Sequence, residues 1–178
     1  KNTLVLAVMV ATGSTVLHGL MSYAYLRTKL KGRHLIEVLS WLPRASPSIV
    51  LAVGIYWAVL GGIPGLKVLY GSLFLMAIVI TIDATPLGMR LLNGTMVQLA
   101  AELEESARVS GASWLQTMRR VVLPLLAPAL VNNWLLRFFG ATQALLLILF
   151  IALPASKTVP ILMYEMMISS DQQEAAAI

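Results

Sequence analysis

The chain has no cysteine and little charge. Without cysteine there is no disulfide, no thiolate metal site and no thiol nucleophile. Its two histidines, His18 and His34, are too far apart in sequence to form a metal-ligand pair. Charged residues make up 12% of the chain, where a soluble domain carries about 25%. No phosphate-cradling glycine-rich loop occurs, so the chain has no usual means of holding ATP itself. No serine, histidine and aspartate stand in a context that suggests nucleophilic catalysis. What fills the sequence instead is hydrophobe, at 58% of 178 residues. Such proportions describe an integral membrane protein built from helices. The net charge of +5 is no nucleic-acid footprint, because the basic residues gather in a few loops between apolar runs.

The apolar runs set out the membrane spans. Leu4 to Leu26 contains no acid, lysine or arginine and exceeds the ~20 residues a span needs. Ala7, Ala11, Thr15 and Gly19 recur every four residues along it and offer a small-residue stripe to a neighbouring helix. His18 suits a hydrogen bond to such a neighbour better than a place in a pathway. Arg27, Lys29, Lys31 and Arg33 follow, a basic loop expected in the cytoplasm. Leu35 to Leu42 reads as a short amphipathic segment with Trp41 at the interface, broken by Pro43 and Pro47. Ile49 to Leu60 is expected to rise through the membrane to a turn-rich outer loop at Gly61 to Gly65. Tyr70 to Leu92 is expected to return, and Asn93-Gly94-Thr95 to form a turn. Pro124 to Leu153 reads as the longest span, Pro154 to Pro160 as an outer loop and Ile161 to Met167 as a short amphipathic element. The alanine-rich end from Gln172 looks like the start of another helix, so a fragment lacking its last span is expected. By this topology Arg27, Lys29, Lys31, Arg33, Arg90, Arg108, Arg119 and Arg120 lie inside, and Lys67 and Lys157 outside.

One long polar stretch interrupts this pattern, from Glu102 to Pro124. Thr95 and Gln98 have the spacing of a capping box, which predicts a helix starting near Met96. Glu102, Glu104 and Glu105 fall in its earlier turns, where the helix dipole favours anions. Glu104 and Arg108 have the order and spacing of an ion pair along the helix. Leu99, Leu103 and Ala107 share one face, making the helix amphipathic. Gly111 can take a left-handed conformation and end it. Ala112 to Arg120 is expected to form a second short helix before the next span.

Glu105-Ser106-Ala107, Gly111 and Val121-x-Leu123-Pro124 resemble the EAA loop of binding-protein-dependent ABC importer permeases. Ser106 stands where that pattern has its first alanine and Val121 where it has isoleucine. The wider chain resembles the second half of iron(III)-type permeases, with support from Gly32 to Pro47 and from Pro86-Leu87-Gly88-x-Arg90. The resemblance implies an all-α, polytopic bundle of the type I importer kind. It implies a single transmembrane domain over residues 1–178, with a cytoplasmic coupling loop at about 95–122. Glu102, Leu103, Glu105, Ser106, Ala107, Arg108, Gly111 and Ala112 would then meet a partner ATPase, with no cofactor in this chain and ATP and Mg bound by that partner. The further implied partners are a second permease half, a periplasmic substrate-binding protein and the lipid bilayer of the bacterial inner membrane. The implied cargo is ferric iron, with thiamine, polyamine or phosphonate as alternatives for the same machinery. The place where iron permeases often carry an Arg-Glu pair is here Gln143-Ala144.

Asp83 and Arg137 lie inside apolar runs, and Asn133 stands one helical turn before Arg137. A charge unpaired at mid-membrane costs about 2.5–3.5 kcal/mol on insertion scales. Two readings follow: Asn133 and Arg137 face a pathway with Asp83 as partial counter-charge, or all belong to a structural polar cluster. An intramembrane enzyme using Asp83 and Arg137 is a more remote alternative.

Overall fold

The computed structural model describes residues 1–61, 66–99 and 101–169. The outer loop expected between Gly61 and Gly65, beyond Gly61 itself, and the helix expected from Gln172 lie outside these residues.

The described chain is helical throughout its ordered elements, in keeping with the all-α expectation. Helix α1 is Asn2–Arg27, α2 is Arg33–Trp41, α3 is Ser48–Gly61 and α4 is Leu73–Gln98. Then come α5 at Ala101–Val109, α6 at Trp114–Thr117, α7 at Leu123–Thr142 and α8 at Val159–Ile168. A π-helical turn at Met118–Val122 joins α6 to α7, so Trp114 to Thr142 forms one helical rod. Among the described residues three helices are long and apolar enough to cross a bilayer, α1, α4 and this rod, and the bent pair of α2 and α3 would make a fourth if it is one span.

α1 is the central element and packs on both α4 and α7. Its small residues make this possible. Ala7 and Ala11 are fully buried, and a Cβ placed on Gly19 would come within 3.5 Å of the Leu130 side chain of α7. Two buried polar contacts fix the register. Nε2 of His18 lies 3.3 Å from Oγ1 of Thr85 on α4, the interhelical bond the sequence suggested. Nδ2 of Asn133 on α7 donates to Oγ1 of Thr15 at 3.0 Å. Interhelical bonds of this kind average only about 0.6 kcal/mol in membranes, so close packing holds the bundle and the bonds set its register. Gly88 of α4 faces His18 so closely that a Cβ there would collide with the imidazole ring.

Several boundaries differ from the sequence expectations. Residues 93–95 form no turn, because α4 runs unbroken to Gln98, and Oγ1 of Thr95 donates back to the Leu91 carbonyl at 3.3 Å rather than capping a new helix. The packing of Leu92 and Met96, both buried, carries the helix past Gly94. The expected second short helix does not stop at Arg120. Pro124 has no N–H for the Arg120 carbonyl, which would interrupt an α-helix. The chain instead opens into the wider π turn, with the Leu123 N–H reaching Met118 O, and continues. α3 has 14 residues, or about 21 Å, short of the ~30 Å hydrocarbon core. It meets the α2 segment at 104°. The expected span from Pro124 ends at Thr142, and the apolar residues beyond it form turns. The N–H groups of Ile148 and Leu149 bond Leu145 O at 3.1 and 3.0 Å, satisfying backbone that helix would otherwise satisfy. Leu147, Ile148 and Ile151 of these turns are buried in the main core with Leu6, Val10 and Met76. α8 is apolar on nearly every side rather than amphipathic; its one charge, Glu165, meets Lys157 Nζ at 2.6 Å.

The Gly88 contact yields the first prediction. Gly88→Ala should lower stability by about 1–3 kcal/mol through overpacking. Adding His18→Ala should recover part of that loss, a non-additivity readable by thermal unfolding of the detergent-solubilised protein. Strict additivity of the two changes would contradict the contact.

Candidate functional site

Two places gather the polar residues of the chain: the surface unit of α5 and α6, and a cavity within the bundle.

The surface unit is defined by its helix ends. At the end of α5, Gly111 takes φ +86°. Its N–H bonds Arg108 O at 2.9 Å, and the Ala112 N–H bonds Ala107 O at 3.0 Å. Those two bonds make a Schellman cap, with Gly111 at the left-handed position as expected. A Cβ on Gly111 would meet nothing within 4 Å, so the demand for glycine is conformational, not steric. Ser113 then caps α6: its Oγ accepts from the Gln116 N–H at 3.3 Å, and Gln116 Oε1 accepts from the Ser113 N–H at 2.8 Å. Ser113-x-x-Gln116 thus forms the capping box whose spacing Thr95 and Gln98 share without forming one.

The inner side of the unit is tied down by Arg27, the last residue of α1. Arg27 Nη2 donates to Met96 O at 3.0 Å and to Leu99 O at 2.5 Å, at the end of α4. Arg27 Nε lies 3.2 Å from Glu104 Oε1, with both side chains about nine-tenths buried, at 14% and 13% exposure. Tyr23 OH donates to Glu104 Oε2 at 3.3 Å, and Trp114 Nε1 donates to Tyr23 OH at 3.2 Å. The expected Glu104–Arg108 pair is thus replaced by Glu104–Arg27, because Glu104 turns inward while Arg108 is exposed. A partner so distant in sequence left no spacing signal. In the sequence Arg27 reads only as a topology-setting charge.

The outer side of the unit is open. Glu102, Leu103, Glu105, Ser106, Arg108 and Gly111 are exposed, while Ala107 and Ala112 are half-buried. Val109 is 89% exposed and Leu115 66% exposed, two large apolar side chains presented outward beside the acids.

The cavity, of about 320 Å³, is lined by Arg44, Ser48, Asp83, Ala84 and Arg137 with apolar neighbours such as Val10 and Ile80. Ser48 Oγ donates to Asp83 Oδ1 at 3.0 Å. Arg137 Nη1 donates to the carbonyl of Ala84, the residue after Asp83, at a long 3.5 Å, and both Asp83 and Arg137 line this space. Asp83 and Arg137 therefore share a cavity, although their depths counted along the chain differ. Neither of the two ion pairs among the described residues involves them. Asn133 is not with them: it is fully buried against Thr15 of α1 and belongs to helix packing. Arg44, which the sequence placed between two prolines without a role, lies just before α3 and lines the edge of the cavity while remaining exposed.

Comparison with known proteins adds the relationship. Residues 15–178 match the model of the binding-protein-dependent transport system inner membrane component family. The chain is 32% identical over 162 residues to the diacetylchitobiose uptake system permease protein of Streptomyces coelicolor, covering 90% of this chain and 57% of that protein. It is 31% identical over 162 residues to the trehalose/maltose transport system permease protein of Thermococcus litoralis, covering 90% and 56%. It is 32% identical over 162 residues to the sulfate transport system permease protein of Salmonella typhimurium, covering 85% and 57%. The chain thus spans little more than half the length of these relatives.

The assignment of Glu104 is testable. Glu104→Gln should destabilise the solubilised protein by roughly 1–3 kcal/mol, the usual cost of losing a hydrogen bond to a charged group. Arg108→Gln should leave stability within about 0.5 kcal/mol, as for surface substitutions generally. Equal shifts in thermal unfolding would contradict the pairing.

Proposed function

The chain belongs to the family of binding-protein-dependent transport system inner membrane components, and on that premise we propose that it is the transmembrane permease part of an ATP-driven importer. The multi-pass arrangement of apolar helices supports placement in a bacterial inner membrane, within the lipid bilayer. Residues 1–178 act as one transmembrane domain, with the coupling loop at about 95–122. The observation that carries the coupling role is the capped, outward-facing α5, open on one side and tied through Glu104 to α1 on the other. Its exposed face, Glu102, Leu103, Glu105, Ser106 and Arg108, with Ala107, Gly111 and Ala112 shaping the turn, docks in a groove on a separate ATPase. That partner works as a dimer and binds ATP and Mg. Its closure pushes α5, and the Arg27–Glu104 link passes the push to α1 and the end of α4. A second permease half completes the pathway, and a periplasmic substrate-binding protein delivers cargo from outside.

Asp83 and Arg137 line that pathway, while Asn133 serves packing. The family is one of transport system components, which supports the permease reading over an intramembrane enzyme using Asp83 and Arg137. The three relatives described above are named for the sugars diacetylchitobiose, trehalose and maltose and for sulfate. None of those names supports ferric iron, which rests on the sequence resemblance alone, as do thiamine and phosphonate; the polyamine alternative has the support of spermidine/putrescine transport system permease proteins 25–29% identical to this chain.

Gly111→Val tests the coupling role. A β-branched residue is a poor occupant of φ +86°. The variant should reach the membrane in normal amount yet lose ATPase association and at least about tenfold in uptake, equivalent to ~1.4 kcal/mol of coupling. Normal uptake with normal association would refute it. Orientation is tested by single cysteines at Ser110 and Ala155, both exposed. An impermeant thiol reagent added outside should label the second and spare the first.

A further inference from the structure

We infer that the cavity bounded by Arg44, Asp83 and Arg137 is a subsite for an anionic group, an oxyanion or a carboxylate, on the transported substrate. The inference rests on the permease reading and narrows it to a substrate class.

The charge count comes first. Arg137 and Asp83, both half-buried, line the cavity, and the exposed Arg44 adds a second guanidinium to the lining, which therefore carries a net positive charge. The carboxylate is already engaged, since Asp83 accepts from Ser48 at 3.0 Å. Among the described residues, neither ion pair uses Arg44, Asp83 or Arg137. Arg137 is left with most of its bonding capacity free. A guanidinium has five N–H donors in a fixed fork. Arg137 spends one on a long 3.5 Å bond to Ala84 O, and its Nε is buried with no partner.

An arginine so placed is costly to insert and gains most from a planar or tetrahedral anion that takes two parallel N–H bonds. The rest of the lining strengthens that interaction. Val10, Ile80 and Leu147 are buried apolar residues, and low polarity around a charge pair raises its attraction. The volume of about 320 Å³ falls in the range of small-molecule sites, roughly 300–1,000 Å³. The same field repels cations, which tells against a polyamine or a free ferric ion and leaves room for an oxyanion or an anionic chelate.

The test uses the intact transporter, isolated with its ATPase and second permease half in lipid nanodiscs and without the binding protein. Sulfate, phosphate, citrate and spermidine serve as probes in equilibrium binding. At least one of the three anions should bind the wild-type complex, and spermidine should not. Arg137→Gln should weaken that anion by about tenfold or more, the range for one charge-assisted bond, and Arg44→Gln, at an exposed position, by about threefold. Arg137→Lys, which keeps the charge but loses the fork, should bind the anion more weakly than the wild type and more tightly than Arg137→Gln, and so shows that the site folds. The inference is overturned if none of the anions binds, if spermidine binds instead, or if Arg137→Gln leaves anion binding unchanged. In that last case Arg137 serves an acid on the second half. Co-isolation of the ATPase with the wild-type chain leaves the permease reading standing whichever way the anions behave. Failure of co-isolation removes that reading and the subsite with it.

Discussion

The guanidinium of Arg27 joins three parts of the molecule that would otherwise end independently. α4 finishes with unpaired carbonyls, as every helix does, and a cation is favoured there. Arg27 takes the carbonyls of Met96 and Leu99. α5 begins a few residues later, where the helix dipole favours an anion, and Glu104 near that end pairs with the same guanidinium. One side chain therefore satisfies the end of one helix and the start of the next from its seat on a third. Tyr23 and Trp114 extend the network to α6. At about nine-tenths burial this is no surface ion pair of negligible worth. Removing either partner would leave a buried charge without its counterpart.

The consequence follows from where α1 goes. From Arg27 it runs inward between α4 and α7, held close by Ala7, Ala11 and Gly19 and by the near approach of Gly88 to His18. It reaches the cavity at Val10, about 25 Å from Arg27 at 1.5 Å per residue. A helix packed this tightly on two sides transmits displacement along its length better than it absorbs it. Between the surface unit and α7 the backbone departs from regular α-helix at the π turn of Met118–Val122. Such turns mark functional positions in many helices. The outward face of α5 and the charged cavity are thus connected by a stiff path through α1 and a more deformable one through α7.

Much of this was legible in residue order. The three long spans, the glycine that ends α5 and the small stripe on α1 came from periodicity and local chemistry, which are short-range signals. The Schellman cap needs only Gly111 and its neighbours, so the sequence carries it. The misreadings share a cause. Thr95 and Gln98 satisfied the capping-box pattern, but Leu92 and Met96 are buried, and tertiary packing carried α4 through it. Residues 143–153 are as apolar as a span, and hydrophobicity alone cannot distinguish a helix from turns packed into a core. Glu104 had a local partner at correct spacing in Arg108 and took a remote one. Asn133 and Arg137 share a helix face only approximately, and one turn of difference sends the first to α1 and the second to the cavity.

The central claim is that α5 and the inner end of α1 move as one body. Spin labels at Ser110 and Lys29, both exposed, report the distance between them in the assembled transporter. The claim predicts one narrow distribution that is the same with ATP bound and without it, and that broadens when Glu104→Gln cuts the link. A distance in the unaltered chain that shifts between nucleotide states would contradict it.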